Sequence, residues 1–258
     1  MDKLKFFFKF GSIFVLILAY IAVSVIILIF SKPTSRRRNL CFNRSYFTTM
    51  ALKLLGIRMV KKSNFPHVGK TYLIVSNHLS YIDVVVISSI FPACFVSSLE
   101  IARDFFLGTL ARMGGSLFVE RRKKTRLLRD LETVSSVLSD GLSVVLFPEG
   151  TSTNGESILP FKKTLFRSAI SCGVDVLPVC ICYVSINGKS VNEENRDLVF
   201  WYGDMKFFPH FLNLLKLSSI EVSLEILPPI QTSSMNSDTI SKLAYHSIYQ
   251  AYQKKCHW

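Results

Sequence analysis

Acidic residues are scarce in this chain of 258 residues: 18 Asp and Glu stand against 31 Lys and Arg, a formal net charge of +13. A balance this one-sided implies an anionic partner, either nucleic acid or an anionic membrane surface. Zinc-finger spacing and RNP-like aromatic strands are both missing, which excludes nucleic acid and leaves the membrane surface. Also absent are GxGxxG, the GxxxxGK phosphate loop and the GxSxG elbow. Those absences exclude the common nucleotide folds and the usual serine-lipase route. The six cysteines include no CxxC pair and no disulfide-like regularity. Cys180 and Cys182 would share one face of a strand, but no histidine lies close in sequence to complete a metal site. Reduced thiols in a cytosolic compartment and no metal are therefore expected. No internal repeat is found.

Apolar sequence is plentiful, at 49% of residues. Residues 10–30 form an uncharged run of 21, long enough to cross a hydrocarbon core of roughly 30 Å. The run is longer than the apolar region of a signal peptide, and no Ala-x-Ala site follows it, so a retained transmembrane helix is expected. Lys3, Lys5 and Lys9 precede the run, and Lys32, Arg36, Arg37, Arg38 and Arg44 follow it. The heavier positive flank places the remainder of the chain on the cytoplasmic side of a single-pass membrane protein. Arg36, Arg37 and Arg38 would then meet anionic headgroups. Residues 39–55 carry apolar side chains at offsets of three and four, an amphipathic helix that lies in the interface or packs on the domain. The expected organisation is an anchor over 1–31, a basic, amphipathic interface segment over 32–56, and one domain over 57–258.

Within that domain, residues 72–76, 142–147 and 175–182 read as buried strands, and 220–227 as a less buried one. Residues 81–90, 126–138 and 161–172 read as helices. Strands alternating with helices give an α/β layered domain, with a mostly buried mixed sheet flanked by helices. Two polar segments fall at strand ends, where open α/β sheets place ligands. The first contains Asn77, His78, Ser80 and Asp83. The second runs Phe147-Pro148-Glu149-Gly150-Thr151-Ser152-Thr153.

A histidine that takes a proton, an acid that orients it and a polar pocket for a substrate head are the parts of a hydroxyl-activating transferase. On one continuous helix, residues five apart point roughly 140° away from each other. His78 and Asp83 therefore meet only if His78 precedes the helix. Ser80 is a good N-cap, which puts Asp83 at the third helical position. Ser80-x-x-Asp83 also fits a capping box, in which Asp83 serves the helix alone.

The two segments resemble the glycerolipid and lysophospholipid acyltransferase family, of the 1-acyl-sn-glycerol-3-phosphate acyltransferase kind. Its first block is Asn-His-x-x-x-x-Asp and its third Phe-Pro-Glu-Gly-Thr. Its second block is similar to Gly115-Ser116-Leu117-Phe118-Val119-Glu120-Arg121, and its fourth to Val176-Leu177-Pro178-Val179. The resemblance runs from about Leu55 to Ile230. It implies general-base catalysis by His78, oriented by Asp83, with direct acyl transfer from a thioester and no acyl-enzyme. It also implies that Arg121 contacts a glycerol-phosphate head, and that Glu149, Gly150 and Thr151 help form the acceptor site. Arg121 alternatively belongs to a solvated run with Arg122, Lys123 and Lys124. Lys162 and Lys163 are further head-group candidates, and Pro178 is expected to shape a strand end. His67, His210, His246 and His257 have no partner at an informative spacing.

The expected activity moves a fatty acyl group from acyl-CoA or acyl-carrier protein to the hydroxyl of a lysolipid. The leading acceptor is 1-acylglycerol-3-phosphate, giving phosphatidic acid. No cofactor is expected beyond the acyl donor, which is a substrate. Another lysolipid, such as lyso-ornithine lipid or a lysophospholipid, stands as the alternative. Ser98 occupies a place where many relatives carry lysine, and the 151–156 loop is more like the broader lysolipid acyltransferases. A non-catalytic lipid-binding protein and a hydrolase rank lower, since a binding module needs no base.

Overall fold

The computed structural model describes residues 3–62, 69–120 and 126–256. The chain opens with two long helices, α1 (Lys3–Phe30) and α2 (Pro33–Leu55), folded back on each other through a two-residue turn. Pro33 starts α2, where its missing N–H costs nothing. Gly56, at φ 74°, ends it in the left-handed conformation.

One side of α1 is turned inward: Ile13, Leu16, Tyr20 and Ser24, at offsets of three and four, are buried. Polar bonds fix this side. The Lys9 ammonium donates to the carbonyls of Leu55 and Leu217, each at 2.8 Å, and the Tyr20 hydroxyl donates to Leu110 O at 3.0 Å. Asn43 of α2 donates to the Ser24 hydroxyl at 2.9 Å. The opposite side of α1 leaves Phe7, Phe14, Leu18, Ile26, Ile29 and Phe30 exposed. Arg44, one of the charges flanking the apolar run, is buried in α2. Its guanidinium donates to the carbonyls of Gly114 and Ala93 and lies 4.6 Å from the Phe95 ring centroid.

The domain is built on one mixed sheet. Its strands are β1 (Ile57–Lys62), β2 (Tyr72–Ser76), β3 (Cys94–Ser98), β4 (Leu117–Val119), β5 (Val144–Leu146), β6 (Asp175–Ile186), β7 (Lys189–Ser190) and β8 (Ile220–Ile226). Their order is β1-β8-β6-β2-β5-β3-β4, with β7 paired to β6. Pairing is parallel except where β6 meets β8 and β7. Helices α3 (Tyr81–Ser88), α4 (Leu99–Arg103), α5 (Phe105–Met113), α6 (Leu127–Ser139), α7 (Phe166–Cys172), α8 (Phe207–Leu215) and α9 (Ser237–Gln253) complete it. The α/β class, the mixed sheet and the apolar N-terminal helix agree with the sequence reading. Every residue of β2 is buried, as expected of a central strand covered on both faces. Because β2, β5 and β3 run parallel, their carboxyl ends gather on one edge.

Several expectations are corrected. Residues 161–165 are not helical: Lys162 N donates to Pro148 O at 2.9 Å, which draws this stretch across the end of β5 before α7 begins. Pro178 lies inside β6, opposite Val75, not at a strand end. The ladder with β8 starts only at Val179, so the missing Pro178 N–H falls where that ladder has not yet begun. Cys182 and Cys256 are paired as a disulfide, with Cα atoms 6.1 Å apart, where reduced thiols were expected. Their separation of 74 residues offers no spacing signal; they meet because α9 packs back over β6. Cys41, Cys94, Cys172 and Cys180 are free.

Candidate active site

His78 sits two residues beyond β2, on an extended turn that ends at Ser80, the N-cap of α3. Asp83 is fully buried and collects donors. Its Oδ2 accepts from His78 Nδ1 at 2.8 Å, Leu79 N at 2.6 Å and Ser80 N at 2.9 Å. Its Oδ1 accepts from the Tyr183 hydroxyl at 2.6 Å. The capping box and the histidine contact are thus both present, and one carboxylate performs both tasks. With Nδ1–H committed to Asp83, the remaining lone pair is on Nε2. Nε2 has no hydrogen-bond partner among the described residues, and His78 lines a cavity of about 440 Å³.

The imidazole is held flat. It stacks on Phe147 with centroids 3.9 Å apart and planes at 13°. Its backbone is pinned from two sides: His78 N donates to Glu149 Oε1 at 2.7 Å, and His78 O accepts from Thr153 N at 3.0 Å. Asn77 bonds in both directions with the Ile181 backbone, at 2.9 Å each, locking the turn to β6. The Ser80 hydroxyl donates to Val199 O at 2.7 Å, and Trp201 N donates to Leu79 O at 3.0 Å.

Glu149, expected at the acceptor head, is turned to the backbone. It is 3% exposed, and both oxygens are occupied by backbone N–H groups, of His78 and, at 2.8 Å, of Leu159. Burial raises its pKa from 4.5 to about 7, against those two hydrogen bonds. It is a brace between the base and the 150–159 loop. Gly150 has φ 82°, and a Cβ there would run into the Lys162 side chain, so the turn requires glycine. Gly150 and Thr151 line the cavity with His78, where the acceptor was expected. Arg121 lies outside the described residues, as do His67 and His257. Lys163 is engaged elsewhere, 2.8 Å from Asp238 at the start of α9.

The cavity is mostly apolar and is walled partly by α1 and α2 through Leu16, Ile17, Phe47 and Ala51. Ser98, in the place of the family lysine, is on its wall and caps α4 through Ile101 N at 3.3 Å. Two residues escaped sequence reasoning. Tyr183 reaches Asp83 from 100 positions away, and no local pattern signals it. His210, placed among the uninformative histidines, is buried, with Nδ1 3.0 Å from the Tyr81 hydroxyl behind the cavity wall.

An imidazole held by a buried carboxylate, with its other nitrogen on an apolar cavity at the carboxyl ends of parallel strands, is the arrangement that can take a proton from a hydroxyl beside an apolar chain. The comparisons with known proteins agree. A family model described as Acyltransferase matches residues 56–182. The chain is 30% identical to "Lyso-ornithine lipid O-acyltransferase" of Brucella abortus, over 84% of this chain and 85% of that protein. It is 30% identical to "1-acyl-sn-glycerol-3-phosphate acyltransferase" of Escherichia coli, over 67% of this chain and 62% of that protein. The crystal structure of PlsC, the LPA acyltransferase of Thermotoga maritima, shares its fold. The TM-score is 0.69 at 20% identity, covering 99% of this chain and 95% of that one. The chain belongs to the acyltransferase family and is an O-acyltransferase.

Proposed function

We propose that the protein transfers a fatty acyl group from a thioester, of CoA or of acyl-carrier protein, to the hydroxyl of lyso-ornithine lipid. The observation that carries the chemistry is the His78 Nδ1 to Asp83 contact, which leaves Nε2 on the apolar cavity. Nε2 takes the proton of the acceptor hydroxyl as its oxygen attacks the thioester carbonyl. Asp83 holds the tautomer and stabilises the imidazolium. The C–S bond then breaks, and the imidazolium returns the proton to the departing thiolate. The ester is formed, the thiol released and the base restored, with no covalent enzyme intermediate. The cavity gives an acyl chain a dry wall against which the reacting carbonyl is held.

The acceptor is chosen on two grounds. A relative matched along more than four-fifths of both chains carries the lyso-ornithine name, and Ser98 lines the cavity where the family resemblance implies lysine. The second reading, 1-acylglycerol-3-phosphate, is carried by the arginine that ends the second block and by relatives of that name.

The exposed side of α1 supports attachment to a membrane, with the domain on the cytoplasmic side as the flanking charges suggest. The bonds from Lys9 and Tyr20 to the domain favour a helix lying in the surface layer beside it over one that crosses alone. A cysteine introduced at Lys3 tests the placement with a membrane-impermeant thiol reagent. Labelling from the cytoplasmic face supports the surface placement, and labelling from the far face supports crossing.

The activity test measures thiol release in detergent micelles from long-chain acyl-CoA and acyl-carrier protein, with each acceptor, for wild type and His78→Ala. Release that needs lyso-ornithine lipid and disappears in the variant is expected. Release with 1-acylglycerol-3-phosphate alone transfers the assignment to the second reading. Release without acceptor, or retained in the variant, overturns the mechanism.

A further inference from the structure

A second cavity, of about 380 Å³, lies at the corner where α1 turns into α2 and meets the C-terminal ends of α5 and α6. Arg36, Arg37, Arg38 and Arg112 line it, with Asp140 as the one carboxylate on its wall. Among the described residues, Ser116 is the one it shares with the lining of the catalytic cavity.

Arg37, Arg38 and Arg112 are exposed, and Arg36 is half-buried. None of them has an ion-pair partner among the described residues, and Asp140 takes none of them within salt-bridge distance. Their hydrogen bonds go to neutral carbonyls. Arg36 donates to Ser31 O, Arg38 to Asp140 O at 3.2 Å, and Arg112 to Ala102 O. Arg37 has no hydrogen-bond partner among the described residues. Arg36 Nε is buried without an acceptor. The first turn of α2, the positive end of a 23-residue helix, opens here without a capping side chain. Solvent screens the exposed charges, but the Arg36 N–H buried without an acceptor is costly unless an anion meets it. Guanidinium forks and a helix N-terminus together match the oxygens of a phosphate ester.

Position identifies the source of that phosphate. Leu28 lines the cavity, and the next residues, Ile29 and Phe30, are exposed at the end of the apolar helix. With α1 lying in the surface layer, its exposed apolar side would meet hydrocarbon and the arginines beside it the headgroups.

We propose that this cavity is a binding site for the phosphate of an anionic membrane lipid, separate from the acyl-transfer site. It rests on the reading that the exposed side of α1 meets the membrane. A lipid seated there orients the catalytic cavity toward the bilayer and makes vesicle binding respond to anionic phospholipid.

The test is co-sedimentation of the full-length protein with vesicles of phosphatidylcholine alone, or with added phosphatidylglycerol, at matched ionic strength. It compares wild type, Arg37→Gln/Arg112→Gln and a charge-matched control, Lys189→Gln/Lys254→Gln. The first pair is expected to lose the phosphatidylglycerol-dependent gain by about tenfold, and the control by about twofold. Binding to phosphatidylcholine, which reports the seat of α1, should be equal in all three. His78→Ala should bind like wild type, so failure of the acyl-transfer reading leaves this result intact. Equal losses in the two pairs overturn the site in favour of general surface charge. Displacement by millimolar pyrophosphate or CoA overturns the lipid assignment in favour of a soluble phosphate ester. Loss of phosphatidylcholine binding in every variant indicts the membrane reading itself.

Discussion

Replacing Asp83 by asparagine separates the two tasks of that carboxylate. Three N–H donors converge on Oδ2, from His78, Leu79 and Ser80, while Oδ1 meets only a hydroxyl, that of Tyr183. The asparagine oxygen must therefore take the Oδ2 place, and its amino group faces Tyr183, whose hydroxyl can turn to accept. The capping box survives, His78 keeps its tautomer, and only the charge is lost. An imidazolium beside a carboxylate gains about 4 kcal/mol at an effective dielectric near 20. The amide oxygen returns about 1 kcal/mol as a neutral acceptor. The net loss of about 3 kcal/mol in the transition state is about a hundredfold in kcat. Acceptor-dependent thiol release at saturating substrates measures it, with thermal unfolding alongside. The expected outcome is a large fall in kcat with KM and stability little changed. A variant that keeps its kcat, or one that loses stability instead, would show that Asp83 serves the helix and not the base.

Tyr183→Phe removes the only partner of Asp83 Oδ1 while keeping the ring in its buried place; a stability loss of about 2 kcal/mol by thermal unfolding and a fall in kcat at unchanged KM are expected. Glu149 is expected to make the wild type pH-sensitive. Its folded pKa of about 7 lies above the ordinary 4.5, so the folded state holds a proton that the unfolded chain releases. Stability therefore falls as pH rises from 4.5 to 7, by about 3 kcal/mol if this group acts alone. Glu149→Gln should flatten that slope in unfolding midpoints taken from pH 5 to pH 8, and an unchanged slope would rule this group out as its source. Ala111→Phe places a ring in the catalytic cavity and should shift a donor chain-length series toward shorter acyl groups, lowering kcat/KM for the longest chain by about tenfold. An unchanged series would place the chain elsewhere.

Legibility followed distance along the chain. The apolar runs of β2, β5 and β6 are buried strands, readable because both faces are covered, whereas β8 was readable from its alternation, with Glu221 and Glu225 as its half-buried positions. The His78 turn was readable because Ser80 and Asp83 lie within one helical turn of each other. The strands at the β3-β4 edge were not expected. β4 has three residues, too few for a period to register, and β3 ends in the polar pair Ser97-Ser98. Glu149 was found by its motif, but its bonds to His78 N and Leu159 N were not legible, because backbone amides leave no mark in side-chain identity. Tyr183 and the Cys182–Cys256 pair depend on how β6 is covered, which no window of sequence contains.

The hydrophobic N-terminal helix contributes Leu16 and Ile17 to the catalytic cavity while showing Phe14 and Leu18 outward. It is a wall of that cavity on one side and an exposed apolar surface on the other. Truncation to obtain a soluble protein would therefore unroof the reaction chamber and let water in. Grafting an unrelated apolar helix in its place would restore attachment without rebuilding the wall. The inward positions of α1 answer to the cavity and the outward ones do not, so the two sides of one helix are free to diverge at different rates.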